Sequence, residues 1–238
     1  MLILALDTSS PLGSLALLRD ATLLAQRVTS SQDLYSAGLL RDTKELLDSA
    51  RISLSGIDLF AVDAGPGSFT GLRVGLTTVK AWAEVWRRPV AAVSGLEAMA
   101  AQVSQPGAPG SLLASVMDAR RGQIFGAVFR GREGDSGGLD RIGDEILATA
   151  DEFLQFLQAQ LGDGLGLAIA CISPDVIVPA LERQGLGNCR IEVVSGVLAP
   201  SIGQLGYAKA IRGDVVDALH LDANYIRRSD AEMNWRSG

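Results

Sequence analysis

At 238 residues, 47% of them hydrophobic and 20% charged, the chain has enough apolar material for one large core or two modest ones and is neither disordered nor fibrous. Its 21 basic and 27 acidic side chains leave a net charge of -6, which argues against a stand-alone grip on a phosphate backbone. With one histidine and two cysteines it can build neither a two-histidine metal site nor a disulfide framework, and any Ser-His-Asp scheme would have to run through His220.

The first residues, Met1-Leu2-Ile3-Leu4-Ala5-Leu6-Asp7, have no basic flank and meet a carboxylate early, so no signal peptide is expected. No run approaches the roughly 18 apolar residues of a membrane span, and a soluble, cytoplasmic protein is expected. Apolar runs at 2–6, 14–18 and about 22–28, separated by turn formers, predict a β-meander. A helix follows over 33–50 with Asp33 as its N-cap, because Leu39, Leu40, Thr43, Leu46, Leu47 and Ala50 recur at helical spacing. Residues 57–64 read as a strand, 72–86 as a helix, 89–93 as a strand and 96–103 as a short helix.

A proline- and glycine-rich stretch at 104–111 marks a boundary between a first domain, 1–104, and a second, 111–238. Beyond it come strands at 112–117 and 123–130, an exposed loop over 131–143, and a helix at 151–161 with Asp151 near its cap. A strand at 167–172, a helix at 174–184, a strand at 190–194 and a helix at about 201–212 complete the chain. That last helix could cross back to the first lobe. Both halves run strands first and then alternate helix and strand, an α/β plan in two lobes.

Three constellations carry chemical interest. Asp7-Thr8-Ser9, with Ser14 beyond, sits where a strand meets a turn; it can hold a cation-bound phosphate or simply satisfy the turn's own backbone. Gly65-Pro66-Gly67-Ser68-Phe69-Thr70-Gly71 precedes a helix but lacks both the Walker lysine and the GxGxxG spacing. Gly71 and Gly75 leave a groove in which another helix could pack closely. Tyr225-Ile226-Arg227-Arg228 with Trp235-Arg236 forms a basic, aromatic tail that could touch RNA phosphates or be ordinary surface. His220 has no nucleophile elbow to serve, and Cys171 and Cys189 read as small buried groups.

The helix over 72–86 is apolar nearly all round. Leu72, Leu76, Val79, Ala83 and Trp86 form one stripe, and Val74, Thr78, Ala81 and Val85 another, so it wants cover on two sides.

Several stretches resemble the bacterial TsaB (YeaZ) family: Ile3 to Ser9 with Ser14 to Leu17, Ala64 to Gly75, Ser94 to Ala100, Met117 to Arg120 and Ala223 to Arg227. The resemblance covers essentially the whole chain in order. It implies a two-lobed fold of the actin, sugar-kinase and chaperone-ATPase type (ribonuclease H-like). It also implies a non-catalytic subunit of the complex that makes threonylcarbamoyladenosine in tRNA, with no cofactor of its own. The implied partners are a metal-bearing TsaD-like catalytic paralogue, a TsaE-like ATPase, tRNA through the complex, and a second copy of the chain when isolated. The paralogue's His-x-x-x-His helix corresponds to 33–50, which holds no histidine. Leu39, Leu72, Leu76, Val79 and Lys80 are the expected docking residues. The alternative is a small-molecule kinase or ATPase of the same fold, with Asp7, Thr8 and Ser9 on the magnesium-bound phosphate.

Overall fold

A computed structural model of the chain describes residues 1–10, 12–29, 37–103, 111–131, 139–160, 166–187 and 189–226. The expected cap Asp33, the linker at 104–110 and the tail residues Arg227, Arg228, Trp235 and Arg236 lie outside the described residues. The chain forms two compact units: Met1–Ala98 with Gly196–Gly238, and Met99–Ser195.

In the first unit, β1 (Leu2–Asp7), β2 (Gly13–Arg19) and β3 (Thr22–Thr29) form the antiparallel meander. Strands β4 (Leu59–Gly65) and β5 (Val90–Ser94) add in parallel on the other side of β1, giving the order β3-β2-β1-β4-β5. Alternation then sorts the side chains. Leu4, Leu6, Leu15, Leu17, Phe60 and Val62 share one core with α1 (Ala37–Ser49) and α2 (Phe69–Trp86). A short helix, α3 (Gly95–Ala100), follows β5, its first N–H groups held by Ser94 Oγ, which accepts from Leu96 N at 3.1 Å and Glu97 N at 3.3 Å.

The second face of this sheet is covered by the last helix, α6 (Ala199–Ile211), which packs on β1, β2, β4 and β5. Gly203 and Gly206 let it lie close: a Cβ there would fall 2.2 Å from Leu18 Cδ1 and 2.6 Å from Ala61 Cβ, respectively.

The second unit repeats the scheme. Strands β6 (Leu112–Arg120), β7 (Gln123–Gly131) and β8 (Leu139–Thr149) run antiparallel, β9 (Leu167–Cys171) and β10 (Arg190–Val193) add in parallel, and the order is β10-β9-β6-β7-β8. Its core joins Leu112, Val116, Val128 and Ile169 to Phe153, Leu154 and Leu157 of α4 (Ala150–Gln160) and Leu181 of α5 (Val178–Arg183).

Three local expectations change here. Residues 139–143, expected in an exposed loop, open strand β8, which continues to Thr149. Its period-two signal is missing because Gly143 takes a φ of +70° and the one fully buried side chain is Glu145, paired with Arg141 at 3.3 Å. The rest of that loop, 132–138, lies outside the described residues. Helix α4 is capped by Thr149: Thr149 Oγ1 accepts from Glu152 N at 3.3 Å while Glu152 Oε2 accepts from Thr149 N at 2.8 Å. Asp151 instead accepts from Arg183 Nη2 at 2.6 Å, and this hydrogen bond holds its carboxyl below the ordinary range. The helix expected over 174–184 divides into a 3-10 turn, Pro174–Val176, and α5. Cys171 is buried and Cys189 partly so; both thiols are free, and burial pushes the Cys189 thiol up to about 11.

Candidate functional site

Asp7 ends β1, and the parallel register that sets Leu6 opposite Val62 brings it beside Asp63 of β4. This is the carboxyl end of parallel strands, where open α/β sheets bind ligands. Both aspartates are buried, at 0% and 2% exposure, so neither charge is solvated by water. The protein supplies its own donors. Asp7 Oδ1 accepts from Ser9 N at 2.9 Å and Ser10 N at 3.1 Å, and Asp7 Oδ2 accepts from Ser10 Oγ. Asp63 Oδ1 accepts from Gly65 N at 2.8 Å, and Asp63 Oδ2 accepts from Ser9 Oγ.

Burial pushes the Asp7 carboxyl above its ordinary range, opposed by the bonds from Ser10 and Ser9 and by a hydrogen bond to Asp63. Two interacting buried carboxyl groups titrate as a pair rather than singly. Asp63 was not among the residues singled out in the sequence. The available signal was a lone carboxylate inside the apolar strand Leu-Phe-Ala-Val-Asp-Ala.

The glycine motif explains how this turn is closed over. Ser68 caps α2, its Oγ accepting from Gly71 N at 3.3 Å, and Ser68 N donates to Ser9 O at 3.0 Å. A Cβ on Gly67 would fall 2.5 Å from Ser9 Oγ, one on Gly71 2.0 Å from Thr8 O, and one on Gly75 2.3 Å from Thr8 Oγ1. Close packing is therefore the role of these glycines, and the element that approaches is the β1–β2 turn rather than another helix. Thr8 Oγ1 also donates to Gly71 O at 2.7 Å. Because this bond is buried, Thr8→Val should lower stability by about 1–2 kcal/mol, read as a shifted urea midpoint with an unchanged slope.

Asp7, Thr8 and Ser9 thus come together as expected, but their polar atoms are engaged within the fold. A cation-bound phosphate does not fit against them in this arrangement, because the start of α2 lies against Thr8 and Ser9. Ser14 is used elsewhere: its Oγ accepts from Ala199 N at 3.1 Å, at the start of α6. Among the described residues no group of three or more His, Cys, Asp or Glu side chains is placed to hold a metal ion. His220 is exposed, its Nδ1 2.8 Å from Asp217 Oδ1.

The expected docking residues require correction. Leu39, Leu72, Leu76 and Val79 are 0–5% exposed and belong to the first unit's own core. They lie on the side of each helix that faces the sheet. An arginine at position 76 would therefore report on folding rather than docking. Lys80 is half-buried. Exposed apolar residues of these helices are Val85 of the second α2 stripe, at 68%, Leu40 of α1, at 55%, and Trp86 at the very end of α2, at 41%.

With this geometry in place, comparison with known proteins gives the class. The TsaD family model, described as tRNA N6-adenosine threonylcarbamoyltransferase, matches residues 23–163, and the chain belongs to that family. Within it, the similarity is to TsaB (YeaZ) proteins. TsaB of Bacillus subtilis (strain 168) is 34% identical over 134 residues, which span 56% of this chain and 57% of that protein. The solved structure of YeaZ from Pseudomonas aeruginosa matches with a TM-score of 0.69 at 25% identity, covering 94% of this chain and 100% of that one. A ROK family protein from Streptococcus pneumoniae TIGR4 shares the fold alone, with a TM-score of 0.50 at 13% identity over 90% of this chain and 100% of that one. The expected α/β fold of the actin and sugar-kinase type is the fold observed. Among the described residues no helix is long and apolar enough to cross a membrane.

Proposed function

We propose that this chain is a non-catalytic subunit of a cytoplasmic complex that makes threonylcarbamoyladenosine in tRNA, docking a TsaD-like catalytic paralogue and, with it, a TsaE-like ATPase. The observation that carries this reading is the closed Asp7–Ser10 turn. Its carboxylates, hydroxyls and backbone are engaged with one another, with Asp63 and with the start of α2, where a working kinase or ATPase needs free groups for a phosphate. The similarity to TsaB proteins and the lone, exposed His220 support the same reading.

The alternative, a small-molecule kinase or ATPase, predicts ATP turnover by the purified chain and its loss in Asp7→Asn. It would require Asp7 to leave at least three hydrogen bonds formed within the fold.

Docking uses the outer flanks of α1 and α2, which pack on the same face of the sheet and present Leu40, Ala81 and Val85 to solvent. The same flanks pair two copies when the paralogue is absent. Reconstitution with paralogue, ATPase, tRNA and threonylcarbamoyl-adenylate is expected to lose modification when this chain is omitted; undiminished modification would overturn the reading. Val85→Arg, exposed and so harmless to folding, should weaken heterodimer formation about tenfold or more by placing a desolvated charge at the contact. Light scattering that shows an intact heterodimer in this variant would exclude this face.

A further inference from the structure

We propose that the cluster of Phe69, Arg73 and Tyr225 in the first unit is a stacking site for unpaired bases of RNA. The three residues come from distant parts of the chain. Phe69 opens α2, Arg73 follows one turn later, and Tyr225 belongs to the segment after α6. The Phe69 and Tyr225 rings lie 5.1 Å apart at 40°, and the Arg73 guanidinium carbon sits 3.9 Å above the centre of the Phe69 ring. Phe69 is half-buried and holds the group in place, while Arg73 is exposed and Tyr225 is 43% exposed.

Tail anchoring does not account for this arrangement. Asn224 N already donates to Ala64 O at 2.7 Å, and Leu221 is 1% exposed, so the segment is fixed without the outer ring or the guanidinium. Nor is Arg73 committed to a carboxylate: among the described residues it makes no ion pair. An uncompensated guanidinium spread over a ring, beside a second exposed ring, offers flat faces to a base and a positive charge to the neighbouring phosphate. The start of the 18-residue helix α2 adds its positive dipole end on the same side.

The chemistry selects single strands. In a duplex the base faces are already stacked on one another, and only a loop or an unpaired end presents them. The chain's net charge of -6 also removes a general attraction for phosphate, so contact is confined to this cluster. One or two phosphates neutralised there give a shallow salt dependence, a slope of about -0.7 to -1.4 in log affinity against log salt.

The proposal rests on the tRNA reading above and deepens it by naming where this subunit touches the nucleic acid. The test is fluorescence anisotropy of the full-length purified chain with a labelled RNA stem-loop and with a fully paired duplex of equal length. The stem-loop is expected to bind at least about tenfold more tightly than the duplex. Tyr225→Leu and Arg73→Gln should each weaken stem-loop binding at least about fivefold, while Tyr225→Phe keeps it. Circular dichroism and melting temperature should remain those of the unaltered chain, since both side chains are exposed.

Folded variants that bind the stem-loop as well as the parent, equal binding of loop and duplex, or no binding by the parent would each overturn the site. Loss of binding to the catalytic paralogue in Tyr225→Leu and Arg73→Gln, with RNA binding unchanged, would overturn it in favour of a protein contact. The omission experiment fails separately: modification that persists without this chain sinks the functional reading, whatever the RNA result.

Discussion

Gly71→Ala is expected to destabilise the first unit by about 2–3 kcal/mol, against the direction that helix propensity dictates. In an ordinary helix interior the change from glycine to alanine stabilises by about 1 kcal/mol. Here the added methyl would stand 2.0 Å from Thr8 O and 2.9 Å from Thr8 C, and both are backbone atoms that no rotamer change can move aside. To accept it, α2 must lift from the β1–β2 turn, lengthening the Thr8 Oγ1 bond to Gly71 O and loosening the contact of Ser68 N with Ser9 O. The two accounts predict opposite signs, so one urea titration separates them. A more stable Gly71→Ala protein would show that α2 does not need its close seat.

Asp7→Ala should cost about 3 kcal/mol, because it strands the buried N–H groups of Ser9 and Ser10 and removes the acceptor of Ser10 Oγ. Asp7→Asn is the informative partner to that change, since an amide resembles the protonated carboxyl. Burial raises the folded-state pKa of Asp7 above its ordinary 3.8, so between the two values the folded protein binds more protons than the unfolded one. The contribution is fully present below pH 3.8 and is lost as pH rises through the folded-state value. The exposed carboxylates of Asp214 and Asp217 have lowered pKa values and act in the opposite sense: their contribution is present above the ordinary value and fades as pH falls. Both variants share them, so they cancel in the difference between parent and Asp7→Asn. That difference should fall steadily as pH rises, moving in favour of the asparagine form. A difference that does not change with pH would contradict the raised folded-state pKa of Asp7.

How much of this was legible beforehand depends on the range of the interaction concerned. The meander at the start, α1, α2 and the parallel strands that follow are written in local spacing, as in Leu39, Leu46 and Leu47 of α1 or the unbroken apolar run of β1. Strand β8 was not, because Gly143 and the buried Glu145 remove the alternation that announces a strand.

On α2, periodicity revealed two apolar stripes but not which one faced inward. The core side is the stripe of Leu72, Leu76, Val79 and Ala83, and beside it Gly71 and Gly75 seat the helix against Thr8. Asp7 was visible as a carboxylate at a strand end, whereas its partner Asp63 stands 56 residues away in the chain and is joined to it only by the β1–β4 register. Long-range pairing and close backbone approach leave no periodic trace in a sequence.

The position of α6 has a consequence for how the protein is made. The sheet that opens the chain is completed on its second face only by Ala199–Ile211, after the whole of Met99–Ser195 has been synthesised. On the ribosome, the nascent first unit must wait with Ile3, Leu18 and Ala61 uncovered while the contiguous second unit already has every strand it needs. The face of the opening sheet that α6 covers is therefore sheltered only after the second unit has left the ribosome.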